Sequence, residues 1–241
     1  MRGQSVDSCM SPDVGAALQT RLAGLRAVLF DLDGTLIDSA PDLAGAANEL
    51  RAARGLPPLD YALLRPMVGA GARGMLAVSL QITPAHREFE PLRADFLTRY
   101  EARMLRETAI FEQVHPLLDA LEQAAMPWGI VTNKAERFAL PVTEGLGLAA
   151  RAGTVISGDT TPHAKPHPAP LVEAARRLGV APEHCAYVGD DERDIVAGRA
   201  AGMITVAVAW GYLGQGEPIE AWGADFIVQT PDALLKSLQL A

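Results

Sequence analysis

Six short apolar runs punctuate the chain: Ala27–Phe30, Trp128–Val131, Thr154–Ile156, Ala186–Val188, Ile204–Ala209 and Phe226–Val228. Near-continuous apolar runs of this length suit strands buried on both faces of a parallel sheet. Between the later runs lie stretches with apolar residues at helical spacing, at Pro116–Ala125, Ala135–Leu146, Ala169–Leu178 and Asp194–Ala201. Gly179 and Gly202 stand where helix-ending glycines belong. The alternation predicts an α/β fold with a doubly wound parallel sheet.

The interval from Ala40 to Arg106 breaks this rhythm, because it carries only helical patterns. Ser39-Ala40-Pro41-Asp42 opens a helix with a cap and an early proline. Leu43, Ala46, Ala47 and Leu50 follow at helical spacing, and Gly55 with Pro57-Pro58 ends it. Thr83-Pro84 reads as the start of another helix, and Phe96, Tyr100 and Leu105 as one more after Pro91. Val68-Gly69-Ala70-Gly71-Ala72-Arg73-Gly74 reads as a glycine-rich turn between helices. So long a crossover is not a simple βαβ link. The expected organisation is an α/β core over residues 25–39 and 107–241, a helical cap over 40–106, and a loosely attached extension over 1–24.

Four places carry chemistry, each at the end of an expected strand or in the loop after it. Asp31 and Asp33 close the first strand, followed by Gly34. Side chains at i and i+2 of a strand share a face, so both carboxylates look toward one pocket. Like charges that close repel unless a cation or a proton lies between them. Thr132 and Asn133 end the second strand; alone they read as a helix cap, together with a phosphate site they suit its oxygens. Lys165 stands between Pro162 and Pro168 on a stiff loop, flanked by His163 and His167, which lack a third partner at metal spacing and are taken as loop residues. Asp190 follows Gly189 at the end of the fourth strand, and hard oxygen ligands of this kind suit Mg²⁺. Glu192 is assigned to a solvated helix start. The carboxyl edge of an open parallel sheet is where ligands bind.

The string Asp31-Leu32-Asp33-Gly34-Thr35-Leu36, with Thr132, Lys165 and Asp190 in that order, resembles the haloacid dehalogenase superfamily of phosphatases, and the helical interval resembles its first-type cap. The resemblance implies a Mg²⁺-dependent phosphomonoesterase. In it Asp31 is the nucleophile, Asp33 the general acid and base, and Thr132 and Asn133 contact the phosphoryl group. Lys165 steadies the nucleophile and phosphate. Asp31, Asp33 (through its backbone carbonyl) and Asp190 hold the metal, with Asp194 behind them near Lys165. Within the superfamily the likeness is equally close to two groups; to phosphoglycolate phosphatases it runs through Val131-Thr132-Asn133-Lys134, Lys165-Pro166-His167-Pro168 and Trp210-Gly211-Tyr212. It extends to N-acetylmuramic acid 6-phosphate phosphatases of cell-wall recycling, through Trp128-Gly129-Ile130-Val131 and Trp222-Gly223-Ala224-Asp225. Sugar phosphomutases use the same motifs and are the alternative of another class. Arg73, at the end of the glycine-rich turn, reads either as a fork for a substrate carboxylate or as a surface arginine on an inter-helix turn.

A formal net charge of -8 over 241 residues argues against nucleic acid as a partner. It leaves room for a small phosphorylated metabolite in a locally basic pocket. The two cysteines, Cys9 and Cys185, offer neither a disulfide framework nor a metal spacing, which fits a reducing cytoplasmic compartment. No apolar run reaches membrane-spanning length, so no membrane partner is expected. The expected assembly is a monomer or a homodimer.

Overall fold

The computed structural model describes residues 22–238; the expected extension over 1–24, with Cys9, lies almost wholly outside them. β1 (Ala27–Phe30) leads through a tight loop to β2 (Ile37–Asp38). Four helices follow: α1 (Ala40–Ala53), α2 (Tyr61–Leu64), α3 (Gly71–Leu80) and α4 (Phe89–Glu101). The chain returns through β3 (Ala109–Ile110), α5 (Val114–Gln123), β4 (Trp128–Val131), α6 (Glu136–Gly145), α7 (Leu148–Arg151) and β5 (Val155–Ile156). It finishes with α8 (Ala169–Leu178), β6 (Cys185–Gly189), α9 (Glu192–Ala200), β7 (Ile204–Val208), β8 (Phe226–Val228) and α10 (Pro231–Ser237).

The six apolar runs become one parallel sheet in the order β5-β4-β1-β6-β7-β8. Both faces are covered, which is why the runs do not alternate with polar residues. Val28 and Phe30 pack with Leu117, Leu121 and Leu234 on one face. Ala27 and Leu29 pack with Leu171, Ala175 and Ala197 on the other. All four β1 side chains are wholly buried, and each large one contributes about 1.5–3 kcal/mol through burial. From β1 the chain order runs outward in both directions, through β4 to β5 and through β6 to β8. β1 is therefore the switch point of the sheet, where a crevice opens at the carboxyl ends.

α1 to α4 build a second core of their own from Leu43, Ala47, Leu50, Leu64, Met75 and Phe96. This unit joins the sheet through β2 and β3, an antiparallel pair with Ile37 opposite Ile110 and Asp38 opposite Ala109. Two expectations within it fail. No helix starts at Thr83-Pro84: Gln81 ends α3 with a left-handed φ of 57°. The chain then takes successive turns, Thr83 O accepting from His86 N and His86 O from Phe89 N. α4 begins at Phe89, two residues before Pro91, whose missing N–H costs nothing in a first turn. The glycine-rich segment is also not an open turn. Arg65–Ala70 winds as a 3₁₀ helix and α3 starts at Gly71, where φ is 58°. No helix among the described residues is long and apolar enough to cross a membrane.

Candidate active site

Asp31 follows β1 directly, its N–H donating to Val188 O of β6 at 2.8 Å. The loop beyond folds back tightly: Leu36 and Ile37 both donate to Leu32 O, and Gly34, at φ 86°, donates to Ile37 O. Asp31, Asp33, Thr132, Asn133, Lys165, Asp190 and Asp194 all line one cavity of about 520 Å³, which the helical unit roofs with Val68, Phe96 and Tyr100. Arg73 lines it too, exposed on the first turn of α3.

Lys165 is the hub of the floor. Its Nζ lies 2.8 Å from Asp31 Oδ1, 2.7 Å from Asp194 Oδ1, 2.8 Å from Tyr187 Oη and 3.0 Å from Val131 O. Burial works against the ammonium, but Asp194 and Asp31 outweigh it and hold its pKa above the ordinary lysine value. Asn133, expected to meet substrate, lines the cavity and also holds the Lys165 backbone: Nδ2 donates to Lys165 O and Oδ1 accepts from Lys165 N, both at 2.9 Å. It positions the lysine loop. Thr132 is buried, and its Oγ1 accepts from Lys134 N at 3.1 Å. His163 and His167 stack on each other with ring centroids 4.5 Å apart, and neither lines the cavity.

Three carboxylates crowd the same floor. Oxygens of Asp31, Asp190 and Asp194 lie within 4.8 Å of one another. Burial, helped by Asp194 and Asp33 and opposed by Lys165, pushes the Asp31 carboxyl up to about 7. Burial, with Asp31 and Asp194, drives Asp190 well above the usual carboxylate range. Asp190 is fixed by Thr35 Oγ1 at 3.0 Å and by Tyr212 N at 2.7 Å. A Cβ at Gly34 or Gly211 would collide with Asp190, and one at Gly189 with Asp194. Hard oxygens packed against bare glycine backbone, and carrying more negative charge than Lys165 offsets, fit a divalent cation.

The Asp33 carboxylate is not part of that group. It takes an ion pair from Lys134 Nζ, at 2.8 Å to Oδ1 and 3.1 Å to Oδ2, and a hydrogen bond from Ser39 Oγ at 2.5 Å. Ser39 therefore does not cap α1 with its side chain, as its position suggested. Lys134 was not singled out in the sequence. Burial opposes its charge, yet Asp33 and Tyr100 together raise its pKa above the ordinary value. Asp194 sits where expected, beside Lys165; its Oδ2 also accepts from Asp191 N at 3.2 Å and closes a capping box at the start of α9. Glu192 is exposed there. One carboxylate beside an ammonium, a second held apart from it, and a buried anionic trio together equip this crevice for nucleophilic attack on an anionic ester.

A family model describing haloacid dehalogenase-like hydrolases matches residues 25–202. The chain belongs to this family. It is 50% identical over 210 residues to a phosphoglycolate phosphatase of Xanthomonas campestris, with 87% of this chain and 94% of the relative covered. It is 42% identical over 217 residues to an N-acetylmuramic acid 6-phosphate phosphatase of Pseudomonas aeruginosa, covering 90% and 96%. The crystal structure of a predicted phosphoglycolate phosphatase from Haemophilus somnus superposes with a TM-score of 0.78 at 27% identity, covering 89% of this chain and 98% of that one.

Proposed function

We propose that this hydrolase cleaves a small phosphate monoester through an aspartyl-phosphate, with 2-phosphoglycolate as the foremost substrate. The observation that carries the reading is Asp31, buried at the switch point with the Lys165 ammonium 2.8 Å from its Oδ1. Its other oxygen attacks phosphorus, the P–O bond to the leaving group breaks, and the departing oxygen takes a proton from Asp33. Asp33 then removes a proton from the water that attacks the aspartyl-phosphate and releases inorganic phosphate. Thr132 and Lys165 donate to the phosphoryl oxygens. The Asp31 and Asp190 side chains with the Asp33 backbone carbonyl would hold Mg²⁺, which neutralises phosphoryl charge when bound.

The division into a core over residues 25–39 and 107–241 and a cap over 40–106 belongs to this reading, with the cap excluding water during the reaction. So do a cytoplasmic setting and a monomeric or dimeric assembly. The cavity of about 520 Å³ is far roomier than a two-carbon acid requires, which supports N-acetylmuramic acid 6-phosphate as the second candidate.

The test is inorganic phosphate released from both esters in Mg²⁺ buffer, compared by kcat/KM, with Asp31→Asn as the control. Turnover that vanishes in Asp31→Asn while the circular dichroism spectrum is kept supports the reading. An isomerised sugar phosphate without free phosphate would point to a mutase, and normal turnover by Asp31→Asn would end the covalent mechanism.

A further inference from the structure

The core motifs account for how the phosphoryl group is gripped, and leave open what reads the rest of the ester. Among the described residues, three buried side-chain hydroxyls find no hydrogen-bond partner: those of Ser79, Tyr100 and Thr154. Only Tyr100 lines the cavity. Its residue is 2% exposed, on α4 of the helical unit, with its ring edge-on to Phe138 at 5.5 Å between centroids. A buried phenol left unpaired loses the hydrogen bonds it had in water, a cost a protein removes by supplying a partner. Tyr100 lines the cavity, with its hydroxyl buried at the wall.

The neighbouring wall supplies a second donor. Lys134 Nζ lies over the face of the Tyr100 ring, 4.9 Å from its centroid. Two of its contacts go to the oxygens of Asp33. An ammonium has three protons, and the remaining N–H interacts with the Tyr100 hydroxyl, so a ligand oxygen would meet the two donors together. Lys134 is 8% exposed at its side chain, so this donor also works in a largely dry site. At neutral pH the phenol is protonated and donates, and the ammonium cannot accept at all. A carboxylate, which offers only acceptors, matches such a pair better than a hydroxyl does. Because Lys134 also holds Asp33, the same contact places the leaving group beside the acid that must protonate it.

We propose that Tyr100 and Lys134 form a leaving-group subsite, in which the Tyr100 O–H and a Lys134 N–H donate to a carboxylate on the alcohol half of the substrate. This rests on the phosphatase reading above. It moves substrate choice from the exposed Arg73, whose charge is screened by water and salt, to a buried pair contributed one from each side of the cleft.

Tyr100→Phe tests it, because that change keeps the ring against Phe138 and under Lys134 and removes one oxygen. kcat/KM is measured with 2-phosphoglycolate and with phenyl phosphate, whose leaving group carries no carboxylate. A hydrogen bond to a charged group predicts a loss of about tenfold or more for 2-phosphoglycolate, chiefly in KM, with phenyl phosphate within about twofold of wild type. An equal loss on both esters, or none on either, overturns the subsite. So does wild-type enzyme that hydrolyses phenyl phosphate but not 2-phosphoglycolate, which leaves the phosphatase reading standing. Wild-type enzyme that releases phosphate from neither ester defeats the phosphatase reading and the subsite with it. Equal thermal midpoints for the two proteins separate a lost contact from a damaged fold.

Discussion

Replacing Asp42 by Asn should destabilise the protein without touching the reacting groups. Asp42 lies in the first turn of α1 with its side chain fully buried. Its Oδ2 accepts from Glu107 N at 3.0 Å, Thr108 N at 2.9 Å and Thr108 Oγ1 at 2.8 Å, while Oδ1 accepts from Arg103 Nε at 3.3 Å. These bonds tie the first turn of α1 to the segment that leads out of the helical unit into β3. Arg103 also reaches Glu49 and Glu107, and lies across Gly45, where any Cβ would strike its guanidinium. An amide in place of the carboxylate keeps the shape and loses the charge. With its oxygen toward Thr108, its NH₂ faces Arg103, donor against donor. Charge-assisted bonds are about twice as strong as neutral ones, so weakening three and losing one costs about 3 kcal/mol. For a chain of this size that is a fall of on the order of 6–12 °C in Tm. The pH dependence gives a second handle. Burial raises the Asp42 pKa, but the Glu107 and Thr108 donors and Arg103 outweigh it, so the folded value lies below the ordinary one. A depressed carboxyl contributes stability that is complete above the unfolded pKa of about 3.9 and is lost as pH falls through the folded value. The gap between wild type and Asp42→Asn should therefore be widest at neutral pH and narrow below about pH 4. Thermal and urea denaturation measure both. Equal Tm at neutral pH, or a gap that widens in acid, would refute the reasoning.

Four further outcomes follow from the site. Asp31 titrates near 7 when folded, so metal-free protein should lose stability as pH climbs from about 4 toward 7; the Tm gain on adding Mg²⁺ should grow across that window and level off above it, and a gain independent of pH would count against the carboxylate trio as the cation site. Asp33→Asn should slow an alkyl phosphate by about 10²–10⁴-fold and p-nitrophenyl phosphate much less, because a good leaving group needs little protonation; equal losses would remove Asp33 from that role. Arg73→Ala should raise KM for 2-phosphoglycolate a few-fold at low ionic strength, an effect that salt erases because Arg73 is exposed; Glu192→Ala, at an exposed helix start, should leave kcat and KM unchanged.

The parts of this site that were legible in the sequence share one property: each announces itself through its neighbours in the chain. Asp31, Thr132 and Asp190 each follow an apolar strand and Lys165 sits between prolines, so their joint order along the chain carries the family resemblance that marks them. Tyr100 does not. It falls at helical spacing from Phe96 and reads as core, which its ring is; its unpaired hydroxyl, on a residue that lines the cavity, is what sets it apart. Lys134 follows a strand end like Thr132, but its role depends on Asp33, 101 residues away. Ser39 misled in a different way. It is a polar residue with a plausible local task, capping a helix, and its hydroxyl makes a tertiary bond to Asp33 instead. β2 and β3 are two residues each, too short for any periodicity to show. Their pairing is set by the chain leaving and re-entering the sheet at one point.

Tyr212 shows why the chemistry and the roof above it cannot be treated separately. It stands in the loop after β7, close to the switch point. Its N–H fixes Asp190 at 2.7 Å, while its Oη accepts from Ser39 N at 2.8 Å and Ala40 N at 3.1 Å and donates to Asp38 Oδ1 at 3.0 Å. Those three residues are the neck through which the chain enters α1. Two acceptances and one donation exhaust a phenol, so Oη has no freedom left to absorb a shift. Ser39 passes the constraint on to Asp33 through its hydroxyl. From above, Arg65 lies over the Tyr212 ring at 4.9 Å and donates to Gly211 O at 3.1 Å. On the far rim Arg193, gripping Asp191 through two bonds, donates to Gly69 O of the helical unit. A displacement of the roof must therefore break the arginine contacts or pull on the neck, and the neck is bonded to both Asp33 and the loop that orients Asp190. The groups proposed to protonate the leaving oxygen and to hold the cation are thus placed by the same few hydrogen bonds that seat the roof.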